Sequence, residues 1–389
     1  MPNHTNDKSQ TTKQVDADYS HYHARLDVPR CMLSARNDCG KSYISQILEI
    51  WSLARGIGHL TAQDYYYYQL CDDSRFSPEE KRRFLSERIH WPLAETCCDV
   101  RWWATADDKL LAQTILERAG APLPVVQAVY ATNRRHHGAL RSCRSTDQLA
   151  DFLAGDAQYP LFAKPIGGIA SLGAFSVNGF DASSKVLALV GDETLALDEF
   201  VRHIDHGDGY IFQSRLYPHT DLQVICGDTV STVRVILIIE DDQPEIIETI
   251  WKIPTGANVA DNFWRAGNML AAVDGDTGQV RRVIRGFGPD LEELDHHPDS
   301  GKPLKGLVLP NWDDLRTQCL EFAMVFDKLR YQSWDIAICP DGPMVVEVNA
   351  GSAFNLSQLA AGRGILTDRF RAFLERCGYF EKASKSAKK

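Results

Sequence analysis

Several features are missing from this chain of 389 residues, and each absence narrows what it does. No apolar run approaches the roughly 20 residues that a membrane-spanning helix needs. No charged, then apolar, leader pattern opens the chain, so a cytoplasmic protein is expected. Its ten cysteines include no Cys-x-x-Cys, and the adjacent Cys97-Cys98 could not bridge without backbone strain. Reduced thiols that serve as core residues are therefore expected. Basic residues are in deficit: 42 Lys and Arg face 52 Asp and Glu, and the net charge of −10 argues against nucleic acid and anionic membranes as partners. The aromatic run Tyr65 to Tyr68 lacks the interleaved basic residues of a base-stacking platform and reads as helix packing. The single Gly-Lys-Ser, at Gly40-Lys41-Ser42, lacks the P-loop glycine five residues upstream, where Ala35 stands. No internal repeat is present, and no Ser/His/Asp or Cys/His arrangement suggests a side-chain nucleophile.

What remains is the composition of a soluble globular protein of two or three domains, 44% hydrophobic and 24% charged. Its most informative stretch is Ser333 to Asn349, two alternating strands around a turn. Trp334, Ile336 and Ile338 share one face of the first strand, and Met344, Val346 and Val348 one face of the second. Pro340-Asp341-Gly342 suits a three-residue hairpin loop, which sets Trp334 opposite Val348, Ile336 opposite Val346 and Ile338 opposite Met344. That register also sets Asp335 opposite Glu347, with Asn349 two residues further on the same face. Two carboxylates so close repel unless a cation separates them. Oxygen donors alone, two carboxylates and an amide, suit a magnesium ion that keeps waters and also binds phosphate. The plainer alternative is the wet side of a sheet.

Far upstream, Leu161 to Gly173 reads LFAKPIGGIASLG and runs into Ala174-Phe175-Ser176-Val177 as strand, glycine loop, strand. Glycines let backbone amides approach phosphate oxygens, and Lys164 at the strand end adds a point charge. Before it, Thr105-Ala106-Asp107-Asp108 has a capping-box pattern. A helix follows with Leu111, Ile115 and Ala119 on one face, ended by Gly120, Pro122 and Pro124. Lys109 in its first turn opposes the helix dipole, a misfit more easily tolerated if it serves a ligand.

Elsewhere the chain reads more plainly. Met1 to about Tyr19 is polar and expected to be disordered. From Ser42 to Trp103 the pattern is helical, with Ile44, Ile47, Leu48 and Trp51 at helix spacing and Pro78-Glu79-Glu80 starting another helix. Strands dominate from Pro160 to Arg285, among them Val230–Glu240 and Glu245–Ile253, joined by Asp241-Asp242-Gln243-Pro244. Asp314 to Leu329 reads as a helix leading into the carboxylate hairpin. His296-His297, beside Asp295 and Asp299, reads as a turn with the Pro-Asp-Ser-Gly that follows rather than a zinc site. Lys252 faces either a site or solvent. Asp261, Asn262, Gly267 and Asn268 form a polar segment of the kind that carries substrate contacts on a rigid sheet, or is a plain connection.

The order Asp-Lys with a helix, Ala-Lys-Pro with a glycine loop, a hydrophobic hinge, then Asp…Glu-x-Asn resembles the ATP-grasp superfamily. The middle and C-terminal parts are most similar to its sugar-transfer associated branch. They match at Thr232-Val233-Arg234, Asp261-Asn262-Phe263 with Gly267-Asn268, the His297 to Gly301 turn, and Trp334-Asp335-Ile336. The resemblance runs from about Ser42 to Cys377 and implies an α+β ATP-grasp fold, two subdomains clamping ATP behind a mainly helical N-terminal region. The implied divisions are a tail at 1–19, helices at 20–107, a small subdomain with the phosphate loop at 108–216, a large subdomain with the metal site at 217–377, and a basic tail at 378–389.

It further implies roles. Lys109 and Lys164 would contact ATP phosphates, with Gly168, Ser171 and Gly173 as the lid. Tyr210 to Gln213 would enter the adenine hinge, Gln213 lying near backbone groups of Arg215 and Leu216 that read the base. Asp221 is the nearest candidate for the ribose carboxylate. Asp335, Glu347 and Asn349 would bind one or two magnesium ions, with manganese as a substitute, and Arg234 and Lys252 would act on the transferred phosphate. Asp261, Asn262 and Asn268 would meet substrate. The chain departs from the pattern at Ile169-Ala170-Ser171, where many relatives have Gly-Ser-Ser. It departs again at Ser333, where the peptide-ligase branch has arginine. The implied activity is an ADP-forming carboxylate–amine ligase acting through an acyl phosphate on small-molecule or peptide substrates. A kinase, an inactive nucleotide-binding scaffold and a homodimer stay open.

Overall fold

The computed structural model describes residues 25–168, 172–205, 207–256 and 258–381. The readings of 1–19 as a tail, of Ile169-Ala170-Ser171 as part of the phosphate lid, and of the basic end Lys382 to Lys389 lie outside these residues. Two seven-stranded sheets organise the rest.

The first sheet has the order β2-β1-β7-β3-β4-β5-β6. Its strands are β1 (Val126–Tyr130), β2 (Arg141–Cys143), β3 (Leu161–Pro165), β4 (Phe175–Asp181), β5 (Val186–Leu189), β6 (Thr194–Ala196) and β7 (Tyr210–Ser214). Strand β7 lies between β1 and β3, and its first four residues are all buried, as a strand covered on both faces must be. Phe212 on one face meets Phe152 and Phe200. On the other, Ile211 joins Val129, Ile166 and Leu110 of the helix Lys109–Arg118.

That helix begins three residues later than the capping-box reading, which sets the N-cap at Thr105. Asp108 is the N-cap and accepts from the amides of Leu110 and Leu111, while Ala104–Asp107 forms a separate turn. Its buried face is Leu110, Ala112 and Leu116, and Leu111 is exposed, so the expected stripe is rotated by one residue.

The second sheet has the order β12-β11-β10-β9-β8-β13-β14. It comprises β8 (Thr232–Glu240), β9 (Gln243–Ile253), β10 (Met269–Val273), β11 (Val280–Arg285), β12 (Glu292–Glu293), β13 (Tyr331–Cys339) and β14 (Gly342–Ala350). The turn between β8 and β9 is shorter than expected. Glu240 pairs with Gln243, and Asp241 and Asp242 both adopt positive φ, as a two-residue primed turn requires. The helix before β13 ends at Ala323 and tightens into a 3₁₀ turn, Met324–Phe326, rather than running to Leu329. The buried Gln332 amide caps it, donating to the carbonyls of Ala323 and Phe326 at 3.1 and 2.8 Å.

The β13–β14 hairpin corrects the sequence reading in an instructive way. Cys339 pairs with Gly342, so the loop is two residues, Pro340-Asp341. Such a loop alone would mix the faces further along. A bulge absorbs the mismatch: Ile336 pairs with Val345 but Asp335 with Glu347, leaving Val346 as the extra residue. Trp334 still opposes Val348, so the register around the carboxylates is the expected one.

The N-terminal helices dock on this second sheet and share its core. The Gln358 amide accepts from the Leu85 amide at 2.7 Å and donates to the Leu85 carbonyl at 2.9 Å. Tyr65, Tyr66 and Tyr68 are buried in that core, as helix packing requires. His297 and Asp299 form the expected turn; the buried His297 ring nitrogen lies 3.0 Å from the Pro254 carbonyl.

Candidate functional site

The two sheets face each other across a cleft enclosing a cavity of about 150 Å³. Lys109, Lys164, Gln213 and Arg215 line it from the side of the first sheet, and Thr232, Asp261 and Glu347 from the second.

Antiparallel pairing sets Glu347, Asp335 and Arg234 side by side on β14, β13 and β8. Paired residues point to the same face, so these three side chains converge without any loop. Arg234 grips Asp335 bidentately, Nε to Oδ1 at 2.9 Å and Nη2 to Oδ2 at 2.8 Å. Lys252 adds a third bond to Oδ2 at 3.1 Å and lies 3.8 Å from Asp261. It is 5% exposed, so it belongs to the site and not to solvent. Burial opposes ionisation of Asp335, but Arg234 and Lys252 outweigh it and hold the carboxyl well below the usual range. Burial equally opposes the charge on Arg234, and Asp335 restores it, raising the guanidinium. Side-chain cations thus balance Asp335, while Glu347 meets Lys109.

Lys109 spans the cleft. Its Nζ donates to the Gly168 carbonyl at 2.7 Å and lies 3.2 Å from Glu347 Oε1. Lys164 crosses beside it to the carbonyl of the bulged Val346, at 3.3 Å. Burial pushes the Lys164 ammonium down to about 8, with Glu347 pulling the other way. Four cations, Lys109, Lys164, Arg234 and Lys252, thus meet three carboxylates, Asp261, Asp335 and Glu347. The local surplus of positive charge suits an anion.

Further along the cleft, Gln213 on β7 is 3% exposed, and its Oε1 has no hydrogen-bond partner among the described residues. Leu216 lines the cleft, while the Arg215 amide is taken by the Pro160 carbonyl at 3.1 Å and its guanidinium by Ser176 and Asn178. Gly173, at φ +75°, accepts through its carbonyl from the Tyr210 hydroxyl at 3.1 Å; a Cβ there would lie 2.6 Å from that oxygen. Asp221 is exposed in the first turn of the helix Thr220–Cys226 and does not line the cleft. Asp228, past the end of that helix, does. Its Gly-Asp-Thr setting reads as an ordinary turn, which is why the sequence hides it.

The polar segment after β9 separates into two kinds of residue. Asp261 accepts from the Thr232 amide and hydroxyl, both at 2.6 Å, and faces Lys252. Asn268 spends its amide on Thr255, Asn258, Ala260 and Asn262 and so clips the loop together. Asn262 keeps a buried Oδ1 with no partner among the described residues.

Two residues that sequence reading missed come from the N-terminal helices. The Glu87 carboxylate accepts from the Asn355 amide at 2.5 Å, where the chain leaves β14 for the helix Phe354–Ala361. Burial pushes it up to about 7. His90 lies against Gly351, where a Cβ would sit 3.1 Å from His90 Nε2. That nitrogen, Ser352 Oγ and Asn349 Nδ2 are buried without partners among the described residues. Burial holds the His90 ring down to about 4, so it is neutral. Glu87 and Asn355 are 268 residues apart in the chain, and no local pattern announces the contact.

A hard divalent cation would find oxygen donors on this face. Glu347 meets Lys109 through one oxygen, and the orphaned Asn349 amide, turned over, presents an oxygen in the same place. Asp335 has both oxygens bonded to cationic side chains, so its charge is already balanced. Among the described residues no three His, Cys, Asp or Glu side chains converge as a metal cluster. The set therefore fits an ion resting on a carboxylate or two and completed by phosphate and water, the habit of magnesium.

Solved structures with a related chain course include an L-amino acid ligase from Bacillus licheniformis (13% identity, 66% of this chain and 42% of that one, TM-score 0.37). Others are the VanG D-Ala:D-Ser ligase from Enterococcus faecalis (12%, 72% and 63%, 0.39) and a biotin carboxylase from Campylobacter jejuni (12%, 75% and 51%, 0.40). The chain thus spans 42 to 63% of the length of these proteins. No curated protein matches it at a significant level. The sugar-transfer associated ATP-grasp family model matches residues 95–373, most of the chain and all of both sheets. The chain belongs to the sugar-transfer associated ATP-grasp family.

Proposed function

We propose that the chain is an ATP-dependent ligase that joins a carboxylate to an amine or similar nucleophile through an acyl phosphate, releasing ADP and phosphate. The observation that carries this reading is the convergence of Lys109 and Lys164 on β14 beside the Arg234–Asp335–Lys252 cluster. Cations from both sheets meet at one point, where a polyphosphate would bridge them. Glu347 and Asn349 would hold magnesium, which neutralises phosphate charge when bound.

The residues of the chain then divide the work. Lys109 and Lys164 exchange their present partners, Glu347 and the Val346 carbonyl, for phosphate oxygens. Gln213 offers its unpaired carbonyl oxygen to an amino group of the base. Arg234 and Lys252, fixed by Asp335, stabilise the charge that moves when the substrate carboxylate attacks the γ-phosphorus. Asp335 acts as a positioning residue, its charge spent on holding those two cations. The acceptor would lie towards Ser352 and His90 at the exit of β14, where buried polar atoms have no partner among the described residues. Positioning and electrostatics carry the reaction, with no covalent enzyme intermediate.

The test begins with thermal shift in ATP with and without magnesium, for the wild type and Glu347→Gln. A ligand at a hundredfold excess over its Kd adds about 2.7 kcal/mol, so a magnesium-dependent rise lost in the variant is expected. ADP release that appears only with an acid and an amine together marks the ligase. A stable phosphorylated product marks a kinase instead, and no shift with any nucleotide removes the reading.

A further inference from the structure

The helix Tyr43–Ala54 is built inside out. Two of its polar residues face the protein: Gln46 is fully buried and donates to the carbonyls of Lys41 and Met32, and Glu49 is held by Lys41, Lys81 and the Tyr65 hydroxyl. Leu53 is buried and Ile50 partly buried against the core, but five of the helix's large apolar residues face away. Ile44 is 72% exposed, Leu48 61%, Trp51 57%, Ile47 56% and Tyr43 37%. At ~100° per residue these five occupy one continuous arc of about 140°. The arc carries no acid; the Arg55 guanidinium at the helix end lies 3.6 Å over the Trp51 ring, and that of Arg36 lies 5.0 Å over the Tyr43 ring.

Together the five side chains expose on the order of 600 Å², the upper end of what a monomer usually leaves as one apolar patch. Two such faces would bury about 1,200 Å², the lower bound of a stable specific interface. We propose that this face is a homodimer interface, two copies pairing antiparallel through the helix Tyr43–Ala54 about a twofold axis near Ile47 and Leu48. The pattern is self-complementary, as twofold pairing demands, because an antiparallel partner sets Ile44 of one copy against Trp51 of the partner subunit. The i, i+4 rows Ile44–Leu48 and Ile47–Trp51 supply the ridges for helix packing.

Other occupants match the face less well. Residues 1–24 contain no leucine, isoleucine, phenylalanine or tryptophan to fill it. A membrane surface would be met by a helix with lysine or arginine along its polar side, and Tyr43–Ala54 contains neither.

Sedimentation velocity of the full chain from about 1 to 100 μM tests the proposal, with the double variant Ile47→Glu, Leu48→Glu as comparison. The wild type is expected to reach twice the monomer mass across that range and the variant to stay monomeric, a weakening of at least about a hundredfold from four charges buried in one interface. Ile44→Ser, Trp51→Ser is the second variant, expected to weaken pairing without adding charge, and far-UV circular dichroism shows that each variant folds. A wild type that is monomeric throughout overturns the proposal, as does a folded variant that still dimerises. Monomeric wild type that floats with phosphatidylcholine vesicles overturns it in favour of a lipid surface.

Discussion

Lys164 Nζ lies 3.3 Å from the carbonyl oxygen of Val346, so a lysine from one sheet is held by the one residue of β14 that the other sheet leaves unpaired. The bulge and the lysine explain each other. A regular hairpin would point that carbonyl into a strand ladder, and Lys164 would be buried without an acceptor. On the neighbouring residue, the Val345 amide turns to the Pro122 carbonyl at 2.9 Å, so the irregular stretch of β14 is tied to the segment that ends the helix of Lys109.

Because burial pushes Lys164 down to about 8, nucleotide affinity should depend on pH. Below that value the side chain is a cation and attracts phosphate; above it the charge is lost. Affinity for magnesium-ATP is expected to fall about tenfold between pH 7 and pH 9 by titration calorimetry. Lys164→Arg should abolish the fall, and Lys164→Met should bind weakly at both values. The linkage to stability has the opposite sense. The unfolded chain binds the extra proton between about 8 and its ordinary value of 10.5, so this lysine costs stability below pH 8 and the cost fades as pH rises. Lys164→Met is therefore expected to melt higher than the wild type at pH 7. Equal affinity for nucleotide in all three proteins would place the phosphates elsewhere.

The two carboxylates facing each other across the hairpin should behave differently on neutralisation. Asp335 is 4% exposed and balances both Arg234 and Lys252, so Asp335→Asn strands two buried cations and is expected to cost about 3–5 kcal/mol in urea unfolding. The Glu347 side chain is 24% exposed and faces Lys109 through a single contact. Glu347→Gln should cost less than about 1 kcal/mol and still lose magnesium-dependent nucleotide binding. Similar destabilisation by both substitutions would contradict the division of roles between them.

Glycine at position 364 is where the N-terminal helices close on the second sheet. A Cβ there would lie 2.1 Å from the Arg83 carbonyl carbon and 2.5 Å from the Phe84 nitrogen, backbone that cannot rotate away. The adjoining bond from the Leu366 amide to the Arg83 carbonyl, at 3.0 Å, fixes the approach. Gly364→Ala is expected to destabilise by at least about 3 kcal/mol or to prevent folding. Gly155→Ala, which meets nothing within 4 Å, should stay within about 1 kcal/mol of the wild type. Near-equal midpoints for the two variants would show the helical region to be loosely docked.

Local chemistry made half of this site legible. Alternation alone sets Asp335 against Glu347, because strand period is a property of neighbouring residues, and the Ala-Lys-Pro strand with its glycines needs no distant partner to be read. The Val346 bulge was not legible, since its cause is Lys164 from the other sheet and Pro122 from another segment. Periodicity found the stripe Ile44, Ile47, Leu48 and Trp51 but could not say which way it faces. Lys41 and Lys81 draw Glu49 inward and so turn the apolar side out. Glu87 and His90 were invisible because their signal is a tertiary contact with the exit of β14 and nothing in residues 87 to 90 departs from an ordinary helical segment.

Glu87 gives that contact a pH signature. Burial raises its carboxyl to about 7, so between its unfolded value near 4.5 and 7 the native chain holds a proton that the unfolded chain releases. Its contribution to stability is fully present below pH 4.5 and is lost as pH rises through 7. Glu87→Gln, which keeps the oxygen that accepts from the Asn355 amide, should remove this slope and leave the variant at least as stable as the wild type at pH 8. Denaturant midpoints at pH 5, 6.5 and 8 check this; a slope that persists in Glu87→Gln belongs to another group.

Gln213 offers the sharpest separation of function from folding. Its Oε1 is buried with no partner among the described residues, a state that costs the free protein about 1–3 kcal/mol of desolvation. On β7 it pairs with Phe162 across the ladder, and the neighbouring Phe212 and Ile211 are fully buried, so the surroundings accept an apolar side chain of similar size. Gln213→Leu is therefore expected to leave stability unchanged or to raise it by up to about 1 kcal/mol. If the unpaired oxygen is kept to accept from an adenine amino group, the same substitution should weaken ATP binding roughly tenfold and shrink the preference for ATP over GTP, whose base carries a carbonyl where adenine has that amine. Gln213→Glu separates this from a packing effect, since it keeps the acceptor but buries a charge and is expected to destabilise the free protein. Unaltered discrimination between ATP and GTP in a folded Gln213→Leu would assign the orphaned oxygen to something other than the base.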